Sequence, residues 1–133
     1  MWGAVASFKN YNMNQDYKEF LNAKQKAHIL SGFDVELTDL NKSMFDFQKF
    51  IVKRALKAGK YAIFADCGLG KTLMQLEWAN RVNKQTNKPV LILAPLAVAG
   101  QTIKEGAKFH IDVCKYDGSN APIQISNYEQ LEN

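Results

Sequence analysis

Ala65-Asp66-Cys67-Gly68-Leu69-Gly70-Lys71-Thr72 decides the fold class. It is preceded by the apolar run Tyr61-Ala62-Ile63-Phe64, which reads as a buried strand, and followed by Leu73-Met74-Gln75-Leu76-Glu77-Trp78-Ala79, which reads as a helix. Strand, glycine-rich turn, Lys-Thr and helix together are the build of a polyphosphate cradle. Gly68 and Gly70 let the backbone curl until successive N–H groups point inward at an anion. The helix N-terminus adds partial positive charge. Lys71 supplies a mobile ammonium for the β- and γ-phosphates, and the Thr72 hydroxyl is a candidate magnesium ligand. The pattern is A-x-x-G-x-G-K-T, with Ala65 where the strict form has Gly. The competing reading is a tight strand-to-helix turn carrying a surface lysine.

Upstream of the turn, Asp46 to Ala58 has helical spacing, with Phe50, Ile51, Ala55 and Leu56 expected inward and Gly59 closing the segment. Before it, Phe33-Asp34-Val35-Glu36-Leu37 alternates and reads as a short strand or an extended strap. Asn14 to Leu30 reads as a helix on the spacing of Tyr17, Phe20, Leu21 and His28, ended by Ser31-Gly32. Downstream, Val90-Leu91-Ile92-Leu93-Ala94 is a continuous apolar run, as expected of a parallel strand covered on both faces. Pro95 stops it, and a helix is expected from about Val98 to Lys108. Val113 to Tyr116 and Ile123 to Ile125 read as further strands, and Asn127 to Leu131 as the start of a helix. Strands alternating with helices imply a parallel sheet with helices on both faces. Ligands in such sheets bind at the carboxyl ends of the strands. The turn, Pro95 and Asn127 all fall there.

The bulk properties narrow the class. At 133 residues the chain fits one domain, and 47% hydrophobic with 23% charged residues is a globular composition. No apolar stretch approaches the ~20 residues that span a bilayer, so no membrane partner is expected. Met1-Trp2-Gly3-Ala4 lacks the charged start and apolar core of a secretion signal, and the first dozen residues are patternless. Cys67 and Cys114 form no disulfide framework or metal pattern and read as free thiols in a reducing, cytoplasmic compartment. Cys67 fits its turn as a small residue, although a helix N-terminus can lower a thiol pKa. His28 and His110 have no ligand-spaced neighbours and read as surface or boundary residues. The formal charge of +4 permits nucleic-acid binding without establishing it. Lys49, Lys53, Arg54, Lys57 and Lys60 recur along one helix, and a solvated face is the simplest explanation.

Four segments, in this order and spacing, resemble the first RecA-like lobe of superfamily-two helicases and translocases, nearest to the chromatin-remodeller branch and to phage and bacterial helicase-like ATPases. They are Phe47-Gln48, Ala65 to Thr72, Ala94-Pro95-Leu96-Ala97-Val98 with Gln101 and Glu105, and Ser126-Asn127-Tyr128-Glu129. The resemblance covers residues 45–131 and implies a three-layer P-loop parallel sheet flanked by helices. It further implies an incomplete lobe over 45–133 and a partly helical extension over 1–44. On this resemblance Lys71 is the catalytic lysine. Ala65, Cys67, Gly68, Leu69, Gly70, Lys71 and Thr72 hold ATP, and Thr72 holds Mg2+. Gln48 reads the adenine edge, its amide matching adenine N6 and N7, with Phe45 or Phe47 packed near the base. An exposed helix glutamine is the alternative for Gln48.

Pro95, Leu96, Gln101 and Thr102 are the implied nucleic-acid contacts after the second strand, with backbone N–H groups there available to a phosphate. Remodellers often carry Trp at the position of Thr102. Asn127 and Tyr128 resemble a third nucleic-acid-facing motif, or else are a helix cap and a packed aromatic. The implied partner is sequence-independent nucleic acid, DNA ahead of RNA. The family's acidic hydrolysis motif and second lobe are missing, so the chain is expected to be a fragment of a longer motor, inactive alone. The unmatched phosphate strand invites self-association. Two other readings stand: a nucleotide-binding module without motor activity, and a truncated interaction or decoy module. The former, if a phosphotransferase, calls for an arginine-rich lid, and only Arg54 and Arg81 exist.

Overall fold

A computed structural model describes residues 13–26 and 30–132. The chain divides into two compact units, Met1–Leu30 and Ser31–Asn133. In the first, α1 spans Met13–Lys26, with Asp16 in its first turn complementing the helix dipole. The expectation of helix up to Leu30 falls partly outside the described residues, and the reading of His28 lies wholly outside them. Residues 1–12 also lie outside them.

The second unit begins with a strap over residues 31–45, containing a single 3-10 turn at Leu37–Asp39. It is followed by α2 (Asp46–Ala58), α3 (Lys71–Thr86), β1 (Val90–Leu93), α4 (Leu96–Lys108), β2 (Cys114–Lys115), β3 (Ile123–Ser126) and α5 (Tyr128–Leu131). The fold is mixed α/β. Its sheet has three parallel strands in the order β1-β3-β2, with Val90 opposite Ile123, Leu93 opposite Ser126 and Cys114 opposite Gln124. All four residues of β3 are buried, as befits the central strand.

The helices form where the sequence periodicity places them. α2 buries Gln48, Val52, Ala55 and Leu56, a stripe at helical spacing. Val52, not Phe50, takes the inward position, and Phe50 is exposed. α3 buries Leu73, Met74, Leu76 and Ala79, and α4 turns the small residues Ala99, Thr102 and Gly106 inward. These faces join Leu40, Met44, Ile92, Ile111, Ile123 and Ile125 in one core.

Two features depart from expectation. Tyr61–Ala65 forms no strand, and its peptide groups make no hydrogen bond among the described residues. Strand pairing needs a partner, and none of the three sheet strands supplies one. Phe64 stands 97% exposed as a result.

The other departure is the strap, which belongs to the compact unit; the boundary falls at Ser31 rather than at residue 45. The strap crosses the end of α2, where the Phe33 N–H donates to the Leu56 carbonyl at 3.0 Å. A Cβ on Gly32 would lie 1.7 Å from that carbonyl oxygen, so only glycine permits the approach. Lys53 pairs with Asp34 at 3.1 Å and donates to the Val35 carbonyl at 2.6 Å, and Lys57 lies 3.9 Å from Asp34. Two of the five basic positions therefore clamp the strap instead of facing solvent alone. At its other end the Asn41 N–H donates to the buried Glu77 carboxylate at 3.2 Å. Arg81 pairs with Glu77 at 2.7 Å and also donates to the Asp39 carbonyl.

Candidate phosphate-binding site

The turn before α3 is open. Gly68 (φ 82°) and Gly70 (φ 74°) both lie in the left-handed region that glycine enters without strain. The Asp66 carbonyl accepts the Leu69 N–H at 3.4 Å, and the first helical bond runs from the Met74 N–H to the Gly70 carbonyl at 3.2 Å. Between and around these bonds, the N–H groups of Cys67, Gly68, Gly70, Lys71, Thr72 and Leu73 have no acceptor among the described residues. Gly70 is the N-cap, so no side chain caps the helix. Unpaired donors gathered at a helix N-terminus form an anion-binding surface.

Gln48 builds the back of this turn. It is 4% exposed on α2. Its Nε2 donates to the Leu69 carbonyl at 2.9 Å, and its Oε1 accepts the Phe45 N–H at 2.9 Å. A Cβ at Gly70 would sit 2.1 Å from that Nε2, so the glycine is needed for contact as well as for conformation. Gln48 is therefore a buried brace rather than an exposed glutamine. One N–H and one lone pair of its amide remain beyond these two bonds.

The turn opens onto a cleft of about 610 Å³ lined by Ser43, Phe45, Gln48, Gly68, Gly70, Lys71, Thr72 and Leu73, with Gln101, Glu105 and Phe109 across from them. That volume lies in the range of small-molecule sites. Lys71 is exposed, and its side chain makes no ion pair or hydrogen bond among the described residues. It also borders a second, more apolar cavity of about 390 Å³ with Tyr61, Ile63, Met74 and Trp78. The Thr72 hydroxyl likewise has no partner among the described residues. Ala65 packs against the core, whereas Cys67 and Leu69 are exposed. Phe45 and Phe47 stack with centroids 6.1 Å apart and 9° between planes; Phe45 borders the cleft and Phe47 stands outside it.

The residues assigned to nucleic acid separate into three groups. Pro95, Leu96 and Tyr128 are exposed at the C-terminal ends of the neighbouring strands β1 and β3, where the Ala94 N–H donates to the Ser126 carbonyl at 3.0 Å. Gln101 instead lines the cleft before α3, donating to Glu105 at 3.3 Å. Thr102 and Asn127 are withdrawn. Thr102 is 3% exposed with its hydroxyl donating to the Val98 carbonyl at 3.1 Å, so it is a core residue and not a surface ligand. Asn127 is 9% exposed at the start of α5, and its buried Oδ1 has no hydrogen-bond partner among the described residues.

Sequence reasoning missed Glu105 and Phe109 as cleft residues and Glu77 as the strap's anchor. Helical spacing from Gln101 points at Glu105 on the same face. Nothing local announces that Glu77 would be buried. No group of three metal-ligating side chains occurs among the described residues, and no helix among them is long and apolar enough to cross a membrane. No protein-family model matches the chain.

Proposed function

We propose that the chain binds the triphosphate of ATP in the turn at Cys67–Leu73 and forms the ATP-binding part of a nucleic-acid-dependent ATPase of helicase or translocase type. The observation that carries this reading is the set of six N–H groups without acceptors among the described residues, placed at a helix start beside a lysine side chain that also has no partner among them. Most of these donors are open to water, and a polyphosphate would accept several of them at once. Lys71 would pair with the outer phosphates, and Thr72 would hold Mg2+ through its free hydroxyl. A bound Mg2+ would bridge phosphate oxygens and spread their charge. The base would enter the cleft toward Phe45, where the spare N–H and lone pair of Gln48 face an adenine edge.

Pro95, Leu96 and Tyr128, together at one end of the sheet, are the residues left exposed for a nucleic-acid backbone. Binding there would be independent of sequence and steeply salt-dependent. No adjacent Asp-Glu pair occurs in the 133 residues, so the chain by itself is expected to bind ATP and scarcely hydrolyse it. Calorimetric titration with Mg-ATP tests the site. Lys71→Ala removes the ammonium but leaves the helix start intact, and it should weaken binding at least about tenfold. Equal affinity in the two proteins would overturn the assignment.

A further inference from the structure

The wall of the cleft across from the turn carries a carboxylate. Glu105 is partly buried on α4 and lines the cleft opposite Lys71 and Thr72. Lys104 and Lys108 neighbour it in sequence, yet Glu105 forms no ion pair among the described residues. Lys108 lies instead over the Phe109 ring, 5.5 Å from its centroid. Among the described residues the Glu105 carboxylate is held by Gln101, one helical turn back, whose Nε2 donates to its Oε1 at 3.3 Å. We propose that Glu105, oriented by Gln101, reads the ribose of the bound nucleotide, so that the cleft takes ribonucleoside triphosphates in preference to their 2′-deoxy forms. The inference rests on the phosphate reading above.

A carboxylate does not suit a triphosphate, because like charges repel. It suits hydroxyl donors, since an ionised carboxylate only accepts, and bonds to a charged acceptor are the stronger ones. A ribonucleotide offers two such donors, its 2′ and 3′ hydroxyls, between the phosphates and the base. With the phosphates at the turn and the base toward Phe45, the wall left for the sugar is that of Gln101, Glu105 and Phe109. The hydrogen bond between Gln101 and Glu105 leaves two acceptors, Glu105 Oε2 and Gln101 Oε1, without a partner among the described residues. Two acceptors match two neighbouring hydroxyls.

This wall is fastened before any ligand arrives. The Asn41 side chain donates to the Phe109 carbonyl at 3.0 Å and accepts the Ser43 N–H at 2.9 Å, which ties the strap to the end of α4. A site held in this way to accept a hydroxyl discriminates against the analogue that lacks it, because the acceptor is then left unpaired.

Calorimetric titration of the full chain with the magnesium complexes of ATP, 2′-deoxy-ATP and inorganic triphosphate tests the assignment. The wild-type chain should bind ATP about tenfold more tightly than 2′-deoxy-ATP, as expected when a charged acceptor loses its donor. Glu105→Ala should bring ATP down to the level of 2′-deoxy-ATP. Its affinity for triphosphate, which has no sugar, should hold or rise, because a negative charge has left the cleft. Gln101→Ala should narrow the preference for ATP over 2′-deoxy-ATP and leave triphosphate binding unmoved, as befits a positioning residue. Equal wild-type affinity for ATP and 2′-deoxy-ATP, with triphosphate still bound, overturns the ribose assignment and leaves the phosphate site standing. Loss of triphosphate binding in Glu105→Ala also overturns it, and makes the carboxylate a support of the fold. A wild-type chain that binds no triphosphate overturns the phosphate reading and this inference together.

Discussion

Replacing Gln48 by alanine separates its two possible duties. In the structure its amide makes two bonds of 2.9 Å, one to each side of the turn's support, from a position 4% exposed. Each such bond contributes about 0.5–1.5 kcal/mol net. Phe45 and Leu69 are both partly open to solvent, so water can satisfy the freed N–H and carbonyl, and the loss falls near the sum of the bonds rather than above it. The expected cost is about 1–3 kcal/mol, which for a unit of this size lowers Tm by roughly 5–15 °C. Anion binding should weaken in step, because the Leu69 peptide no longer holds the turn in place. Differential scanning calorimetry reads the first effect, and titration with ATP and GTP the second. If Gln48 only braces the turn, both nucleotides lose affinity equally. If it also reads adenine, ATP loses more. A melt unchanged from wild type would refute the bracing role outright.

Arg81→Ala strands the Glu77 carboxylate, 1% exposed, without its ion-pair partner and frees the Asp39 carbonyl. Truncating one member of a buried pair costs about 3–5 kcal/mol, and the partial exposure of Arg81 puts this case at the low end. Chemical denaturation should show it, with proteolysis appearing first in the strap at residues 31–45. Asp34 offers a pH test. The hydrogen bond from Lys53, and the nearby charges of Lys53 and Lys57, hold its carboxyl below the ordinary 3.8. A depressed acid stabilises the fold above its unfolded pKa and loses that contribution as pH falls through the folded value. Asp34→Asn should therefore flatten the fall of Tm below about pH 4 while leaving the neutral-pH Tm only slightly lower. An acid limb identical to wild type would mean that the clamp is idle.

Local pattern foretold what local chemistry controls. α2, α3 and α4 follow the spacing of apolar residues, and the open turn follows from Gly68 and Gly70, whose φ values are those the turn requires. What failed was non-local. The run Tyr61–Phe64 has the composition of a strand, but composition cannot supply a neighbour, and the segment pairs with no strand among the described residues. Thr102 illustrates a different failure. It continues the stripe Ala99–Thr102–Gly106, so its burial was legible from helical spacing, yet motif position pointed outward. The strap was half legible: Phe33, Val35 and Leu37 alternate and pack partly on the core. Its polar fastenings to Lys53, Lys57, Glu77 and Arg81 join residues far apart in the chain, and no period marks them. Of the cleft, Gln48 and the turn were legible as a set. That Gln101 faces the same space depends on how α4 packs, which its sequence alone does not state.

The most direct measurement is an NMR titration of the backbone amides with Mg-ATP, followed by inorganic triphosphate. The N–H groups of Cys67, Gly68, Gly70, Lys71, Thr72 and Leu73 should shift strongly and saturate together, since each gains an acceptor it lacks in the free chain. Triphosphate should move the same set without disturbing residues near Phe45 to the same extent. Shifts confined to Lys49, Lys53, Arg54 or Lys57, with these six amides unmoved, would contradict the phosphate site and the function built on it.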